Sequence, residues 1–151
     1  VVFALASWLA NVSIAAYYAF YPIYLREILD IDAKWVGLIS NVGVVVEIGF
    51  MLAFGWLLRR LGLRGLMIAG ACIALRFALL ALFPNLYVAI GTQALHGMLV
   101  LVVHVAPPIY LNRHADAAYR NSIQGLYAMA VVGTARVVGN VASGYVADVS
   151  L

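Results

Sequence analysis

Long apolar runs make up most of this chain, and four of them carry an ionisable residue near the middle. These four residues are Glu47, Arg76, His96 and Arg136. A charged side chain at the centre of a bilayer costs roughly 2.5–3.5 kcal/mol on insertion scales. Residues placed at that cost pair with one another or face a water-filled cavity. The pattern predicts a membrane protein with a polar interior and is typical of transporters.

The composition agrees with a chain that lies mostly in lipid. Hydrophobic residues make up 66% of the sequence and charged residues only 10%, whereas soluble domains average about 25% charged residues. Nucleic-acid binding is not expected, because no basic face is available outside the apolar runs. The single cysteine, Cys72, forms no disulfide within the chain and matches no metal-ligand spacing. We therefore expect no metal and no cofactor.

A membrane-spanning helix needs about 20 apolar residues, and five segments meet this condition. The predicted helices are Val1–Leu29, Trp35–Leu58, Gly65–Phe83, Leu86–Leu111 and Ser122–Ala147. The fold class is therefore all-α, a polytopic membrane helix bundle of five transmembrane helices. Since the chain begins with Val1 rather than Met, we expect it to be a piece of a larger protein.

Lysine and arginine in short loops mark the cytoplasmic side of a membrane protein. Arginines cluster between the second and third helices and again between the fourth and fifth: Arg59, Arg60, Arg64, Arg113 and Arg120. These two loops are predicted to be cytoplasmic, so the first helix would start inside.

Helix rise places the ionisable residues in one layer near the membrane midplane, where secondary transporters bind their substrates. Burial favours the neutral form of the Glu47 carboxyl group, and a nearby guanidinium from Arg76 favours the ionised form. A change in that contact could move a proton, so Glu47, Arg76 and His96 are candidate proton-coupling residues. The alternative interpretation of Glu47 and Arg76 is a structural ion pair.

Further polar and aromatic residues on the same helices are candidates for the lining of a substrate cavity. They are Tyr17, Tyr21, Gln93, Arg136 and Asn140. The excess of arginine over carboxylate in this layer favours an anionic solute, although aromatic carboxylates, nucleosides and sugars all stay open.

The segment from Gly55 to Arg64 resembles the cytoplasmic loop signature of the major facilitator superfamily, Gly-x-x-x-Asp-Arg-x-Gly-x-Arg. Its matching residues are Gly55, Arg60, Gly62 and Arg64, with an arginine at position 59 where the signature has Asp. Because the second copy of this motif is commonly degenerate, the resemblance implies helices seven to eleven of a twelve-helix transporter. The last helix and the whole N-terminal half would then lie outside this chain.

Other stretches are similar to one branch of that superfamily. Residues 15–25 resemble the seventh helix of phenylpropionate permeases, and residues 93–97 resemble the tenth. Nucleoside:proton symporters share the arrangement, and Glu47, Arg76 and His96 are similar to the set that couples protons in lactose permease. The resemblance implies proton-coupled symport of a small organic solute by alternating access, in a bacterial inner membrane. The partners it implies are a solute, a proton, the lipid bilayer and the N-terminal half of the same protein.

Two other classes of function fit the apolar runs less well. A membrane sensor or scaffold could keep the fold without transport, but it has little need of four ionisable groups at the midplane. An intramembrane enzyme could use Glu47 and His96 as acid and base, yet no motif such as His-Glu-x-x-His is present. We expect no enzymatic activity.

Overall fold

The structure is a computed structural model that describes residues 2–150. Helices account for nearly all of these residues, and no strand occurs among residues 2–150. We number the helical segments α1 (Val2–Ile28), α2 (Ala33–Ala69), α3 (Cys72–Leu82), α4 (Leu86–His114) and α5 (117–150). Four of them are long and apolar enough to cross a membrane, and α3 is an apolar helix of 11 residues. The predicted all-α membrane helix bundle is confirmed.

The boundary between the second and third predicted helices is a single glycine rather than a loop. Backbone angles stay helical through Ala33–Ala69 except at Gly62, where φ is 65° and ψ is 175°. Only glycine occupies this region readily, so the residue itself dictates the break. The predicted third helix then runs to Leu82 with a tight turn at Gly70, whose N–H donates to the carbonyl oxygen of Met67 at 3.1 Å.

Helix starts follow ordinary capping chemistry at two loops. The Asp32 carboxylate accepts a hydrogen bond from the Lys34 N–H at 3.2 Å and caps α2. The Asn85 side chain does the same for α4 through the Val88 N–H at 2.9 Å. These caps satisfy N–H groups that have no partner inside the helix.

Three wide π-helical turns interrupt the α-helical geometry, and the sequence analysis predicted none of them. They lie at Tyr24–Ile28, Leu101–Val105 and Ala128–Gly133. The first follows Pro22, and the second precedes Pro107 and Pro108. Pro107 and Pro108 lack the N–H groups that would bond the carbonyl oxygens of Val103 and His104, so the second π-helical turn lies where the helical ladder loses these donors.

The chain divides into two compact units. The first unit comprises Val1–Phe20 and Val105–Leu151, and the second comprises Tyr21–His104. In the second unit α2 and α4 pack closely at Gly97, where a Cβ atom would lie 2.5 Å from Phe50 Cδ2 and 3.0 Å from the Val46 carbonyl oxygen. Glycine is therefore required at this crossing.

In the first unit, α5 packs on α1 through small residues. Ala135 and Ser143 are buried, and a Cβ atom on Gly139 would lie 2.6 Å from the Val12 carbonyl oxygen. Small residues at four-residue spacing allow this approach of two helix backbones in lipid. The Trp8 indole N–H adds a hydrogen bond of 2.9 Å to the Thr134 hydroxyl.

Candidate functional site

A buried polar cluster in the second unit contains two of the predicted coupling residues. Arg76 on α3 is 1% exposed, and its Nη2 donates to Gln93 Oε1 on α4 at 2.7 Å. His96 lies one helical turn from Gln93 and is 3% exposed. The second unit thus brings together two predicted coupling residues and Gln93, a predicted cavity residue. Their burial inside apolar helices concentrates positive charge and hydrogen-bonding capacity at one point.

Gln93 connects three helices, a role that its sequence position alone does not reveal. Besides accepting from Arg76, its Nε2 donates to the Ile39 carbonyl oxygen of α2 at 3.2 Å. Because one amide binds both partners, its orientation is fixed by α2 and α3 together. A neutral amide oxygen facing a guanidinium leaves the positive charge of the arginine uncompensated by that contact.

Two tyrosines of α1 close the cluster from another side. The Tyr21 hydroxyl donates to the Ala89 carbonyl oxygen at 3.0 Å, and its ring centroid lies 5.4 Å from Arg76 Cζ. This distance is within the range of a cation–π contact. The Tyr24 hydroxyl donates to the Leu80 carbonyl oxygen, also at 3.0 Å. Both rings are buried, so α1 is tied to α3 and α4 by hydrogen bonds to their backbones.

Glycine lets α2 approach the cluster. A Cβ atom on Gly43 would lie 2.6 Å from Gln93 Oε1 and 3.1 Å from His96 Cδ2. Glu47 follows one helical turn later and is half-buried. Two ion pairs lie where α1 ends and α2 begins, Arg26–Glu27 at 3.5 Å and Lys34–Asp32 at 3.1 Å, and their side chains are exposed.

The other predicted lining residues belong to the first unit. Tyr17 is 4% exposed, and its ring meets that of Tyr18 edge-on at 5.5 Å. Arg136 and Asn140 are exposed and lie four residues apart on one face of α5. Of the predicted lining set, Tyr21 and Gln93 are the two that the second unit brings together.

Some buried polar groups were missed in the sequence analysis. Asn11 is 1% exposed and donates to the Ser7 carbonyl oxygen at 2.8 Å, although an asparagine within the first apolar run was visible. Thr92 is 4% exposed and donates to the Ala89 carbonyl oxygen at 3.1 Å. Both bonds satisfy a side chain within its own helix, so they indicate local stability rather than chemistry.

The motif residues lie in the second half of α2, on both sides of the break at Gly62. Arg60 and Arg64 are exposed, and Gly62 supplies the left-handed backbone described above. A Cβ atom on Gly55 would make only an ordinary contact, 3.8 Å from Arg59 Nη1. The backbone conformation therefore explains a glycine at position 62. It does not explain the glycine at position 55.

Comparison with known families identifies the chain. A family model described as the MFS_1 like family matches residues 1–150. The chain belongs to this family. No curated protein and no solved structure matches it significantly.

Membership in the MFS_1 like family agrees with the resemblance to the major facilitator superfamily, and together with the apolar helices it supports a membrane transporter rather than an enzyme. The branch within the superfamily stays a prediction. Among the described residues, 2–150, no three His, Cys, Asp or Glu side chains lie close enough to hold a metal ion.

Proposed function

We propose that this chain is part of a secondary active transporter that moves a small organic solute together with a proton by alternating access. The chain would supply helices seven to eleven of twelve, and the N-terminal half of the same protein would complete the substrate cavity. Family membership and four membrane-length apolar helices support the general function. A bacterial inner membrane is the proposed location.

The buried contact between Arg76 and Gln93 carries the proposal. An arginine that is 1% exposed among apolar helices is costly in lipid, and residues of this kind mark substrate or ion pathways. The arginine is held by an amide oxygen and an aromatic ring, both of which a solute could replace. This arrangement suits a site that exchanges partners during a transport cycle.

In this proposal Glu47 carries the proton, and Arg76 and His96 control when it does so. Glu47 lies one helical turn from Gly43, the residue whose missing side chain leaves room for Gln93 and His96. A guanidinium that moves toward the carboxylate favours proton release, and one that stays with Gln93 favours proton retention. The solute would bias this choice by binding at Arg76, which couples the two fluxes.

The solute class follows from the groups around the arginine. Within the second unit, Tyr21 and Gln93 are proposed to contact the solute beside Arg76. Tyr17, Arg136 and Asn140, in the first unit, stay separate predictions as cavity-lining residues. An arginine, an amide and a tyrosine ring favour an aromatic carboxylate. Nucleosides and sugars are the alternatives, because amide and tyrosine groups bind them as well.

The test is transport by the full-length protein in proteoliposomes, with Glu47→Gln as the variant. We expect an inward proton gradient to drive accumulation of a radiolabelled aromatic carboxylate in the wild type. In Glu47→Gln, accumulation should fall to the equilibrium level while counterflow, which needs no net proton movement, continues.

A matched control is Glu27→Gln, which removes an exposed carboxylate paired with Arg26 in the last turn of α1. This variant should accumulate solute like the wild type. Gradient-driven accumulation that survives in Glu47→Gln would contradict the coupling role. Absence of counterflow with every candidate solute in the wild type would contradict transport itself.

A further inference from the structure

One face of α2 changes from apolar to aromatic to cationic along its length. Ile48, Leu52, Trp56 and Arg60 follow at four-residue intervals and so lie on one side of the helix. Their apolar members are open to the surroundings: Ile48 is 54% exposed, Leu52 is 84% exposed and Trp56 is 54% exposed. This order of side chains matches one lipid leaflet: the apolar residues suit the acyl chains, the tryptophan suits the interface and the arginine suits the headgroups.

Two tryptophans fix the depth of this face in the membrane. Trp35 and Trp56 are both about half exposed, and α2 is helical between them. Their separation of 21 residues corresponds to about 31 Å at 1.5 Å per residue. The hydrocarbon core is about 30 Å thick, and tryptophan prefers its two boundaries. Trp56 thus marks one boundary, with the next helical turn at headgroup level.

The cationic end of the face has arginine side chains that could bind a phosphate group. The guanidinium carbon of Arg60 lies 5.2 Å from the Trp56 ring centroid, which restrains a flexible side chain above the boundary residue. Arg59 is its neighbour in the chain, and Arg64 follows the break at Gly62. Within residues 2–150, none of these three arginines takes part in an ion pair with a carboxylate. Their donors are therefore available to an external anion.

We propose that the face formed by Ile48, Leu52, Trp56 and Arg60, together with the adjacent Arg59, binds an anionic phospholipid, with the phosphate at the two arginines and an acyl chain along Leu52 and Ile48. Guanidinium groups match the oxygens of a phosphodiester in pairs. The exposed leucine and isoleucine provide the apolar contact that a soluble phosphate would lack. This inference does not depend on the proposed transport.

The experiment uses quenching of tryptophan fluorescence by brominated lipids. The full-length protein, with other tryptophans such as Trp8 and Trp35 replaced by Phe, keeps Trp56 as the reporter. It is reconstituted in vesicles that contain dibrominated phosphatidylglycerol or dibrominated phosphatidylcholine at equal mole fraction. We expect stronger quenching by phosphatidylglycerol, with a relative binding constant that favours it by roughly fivefold for each arginine near the surface.

Two variants test the assignment. Arg59→Gln/Arg60→Gln should bring the relative binding constant close to one, because the phosphate loses both donors. The matched control, Arg113→Gln/Arg120→Gln, removes two arginines at the end of α4 and the start of α5 and should leave the preference at Trp56 intact. Circular dichroism reports whether each variant keeps its helices.

Equal quenching of Trp56 by the two lipids in the wild type would overturn the proposal. It would also be overturned if the control lowered the preference as much as the Arg59/Arg60 variant, since the attraction would then reflect overall charge. A preference that survives high salt in the wild type and is missing in the variant would support a specific site over diffuse attraction.

Discussion

Arg76 and Gln93, each only 1% exposed, meet through a hydrogen bond of 2.7 Å between α3 and α4. The amide oxygen of Gln93 faces the guanidinium, and its amide nitrogen binds the backbone of α2. One neutral side chain thus orients a buried cation with respect to three helices. The contact connects the stability of the second unit with the chemistry proposed for it.

Replacing Gln93 by Leu should destabilise the protein markedly. The substitution removes an acceptor from a buried charged donor, which costs about 1–3 kcal/mol or more. The measurement is the free energy of unfolding in mixed micelles, followed by circular dichroism. Gln124→Leu is the matched control, because Gln124 donates to Asn112 Oδ1 at the same 2.7 Å but on the exposed surface. We expect this control to change stability by less than about 0.5 kcal/mol.

Tyr21 offers a way to separate a hydrogen bond from a cation–π contact. Tyr21→Phe removes the hydroxyl, and with it the bond to the Ala89 carbonyl oxygen, but keeps the ring, and it should cost about 0.5–1.5 kcal/mol. Tyr21→Leu also removes the ring beside Arg76 and should cost about 0.5–2 kcal/mol more. Both values come from the same unfolding measurement. The control Tyr87→Phe, at a residue that is 88% exposed, should have little effect; equal stability of the Phe and Leu variants at position 21 would argue against a contribution from the ring.

The number and apolar character of the helices could be predicted because they follow from composition along the chain. A run of about 20 apolar residues has few alternatives to a membrane helix. The position of Gly62 was also visible, since it belongs to the loop motif. Its effect was not, because a glycine in a sequence permits a left-handed backbone without requiring one. The structure shows that the break is confined to that residue.

The candidate site was predictable to the extent that it depends on depth and helix face. Arg76, Gln93 and His96 lie at similar depth, and the structure buries all three. The rotation of each helix against its neighbours is not encoded so simply, so the sequence analysis considered Glu47 beside Arg76 and did not predict the hydrogen bond between Arg76 and Gln93. Gly43 makes room for this bond, because its missing side chain leaves the space that the amide oxygen of Gln93 occupies. The π-helical turns change the rotation again and have no simple sequence signal.

The backbone at Gly62 provides a second test of stability. Gly62→Ala forces a side chain into a conformation with φ of 65° and ψ of 175°, at a cost of about 1–3 kcal/mol. Gly49→Ala is the control on the same helix, where a Cβ atom meets nothing within 4 Å. This control should leave stability unchanged or raise it by about 0.5–1 kcal/mol, since alanine favours the helix. If both variants unfolded at the same denaturant concentration, the break would not need glycine.

Packing of α5 on α1 is tested at Gly139. A Cβ atom there would lie 2.6 Å from a backbone oxygen of Val12, which cannot move without shifting α1. We expect Gly139→Ala to cost about 1–3 kcal/mol, as overpacking does elsewhere. Gly144→Ala on the same helix adds its methyl group to open space and should be neutral. A neutral result at both glycines would mean that the two helices are not packed as closely as the structure indicates.

Gly43 tests the cluster itself, since its effect should depend on Gln93. A Cβ atom at Gly43 would lie 2.6 Å from Gln93 Oε1, and that oxygen cannot move away without lengthening its bond to Arg76. Gly43→Ala should therefore destabilise the wild type, and it should cost much less in a Gln93→Ala background, where the opposing amide is absent. Residues in contact show interaction energies of about 0.5–3 kcal/mol in such double-mutant cycles.

The four unfolding free energies of this cycle give the interaction directly. Strict additivity would show that Gly43 and Gln93 do not touch, and the contact between α2 and α4 would then lie elsewhere. A large interaction would establish that the missing side chain of Gly43 holds Gln93 against Arg76. The same pair of variants in the transport assay would then report whether the proposed solute site tolerates a displaced amide.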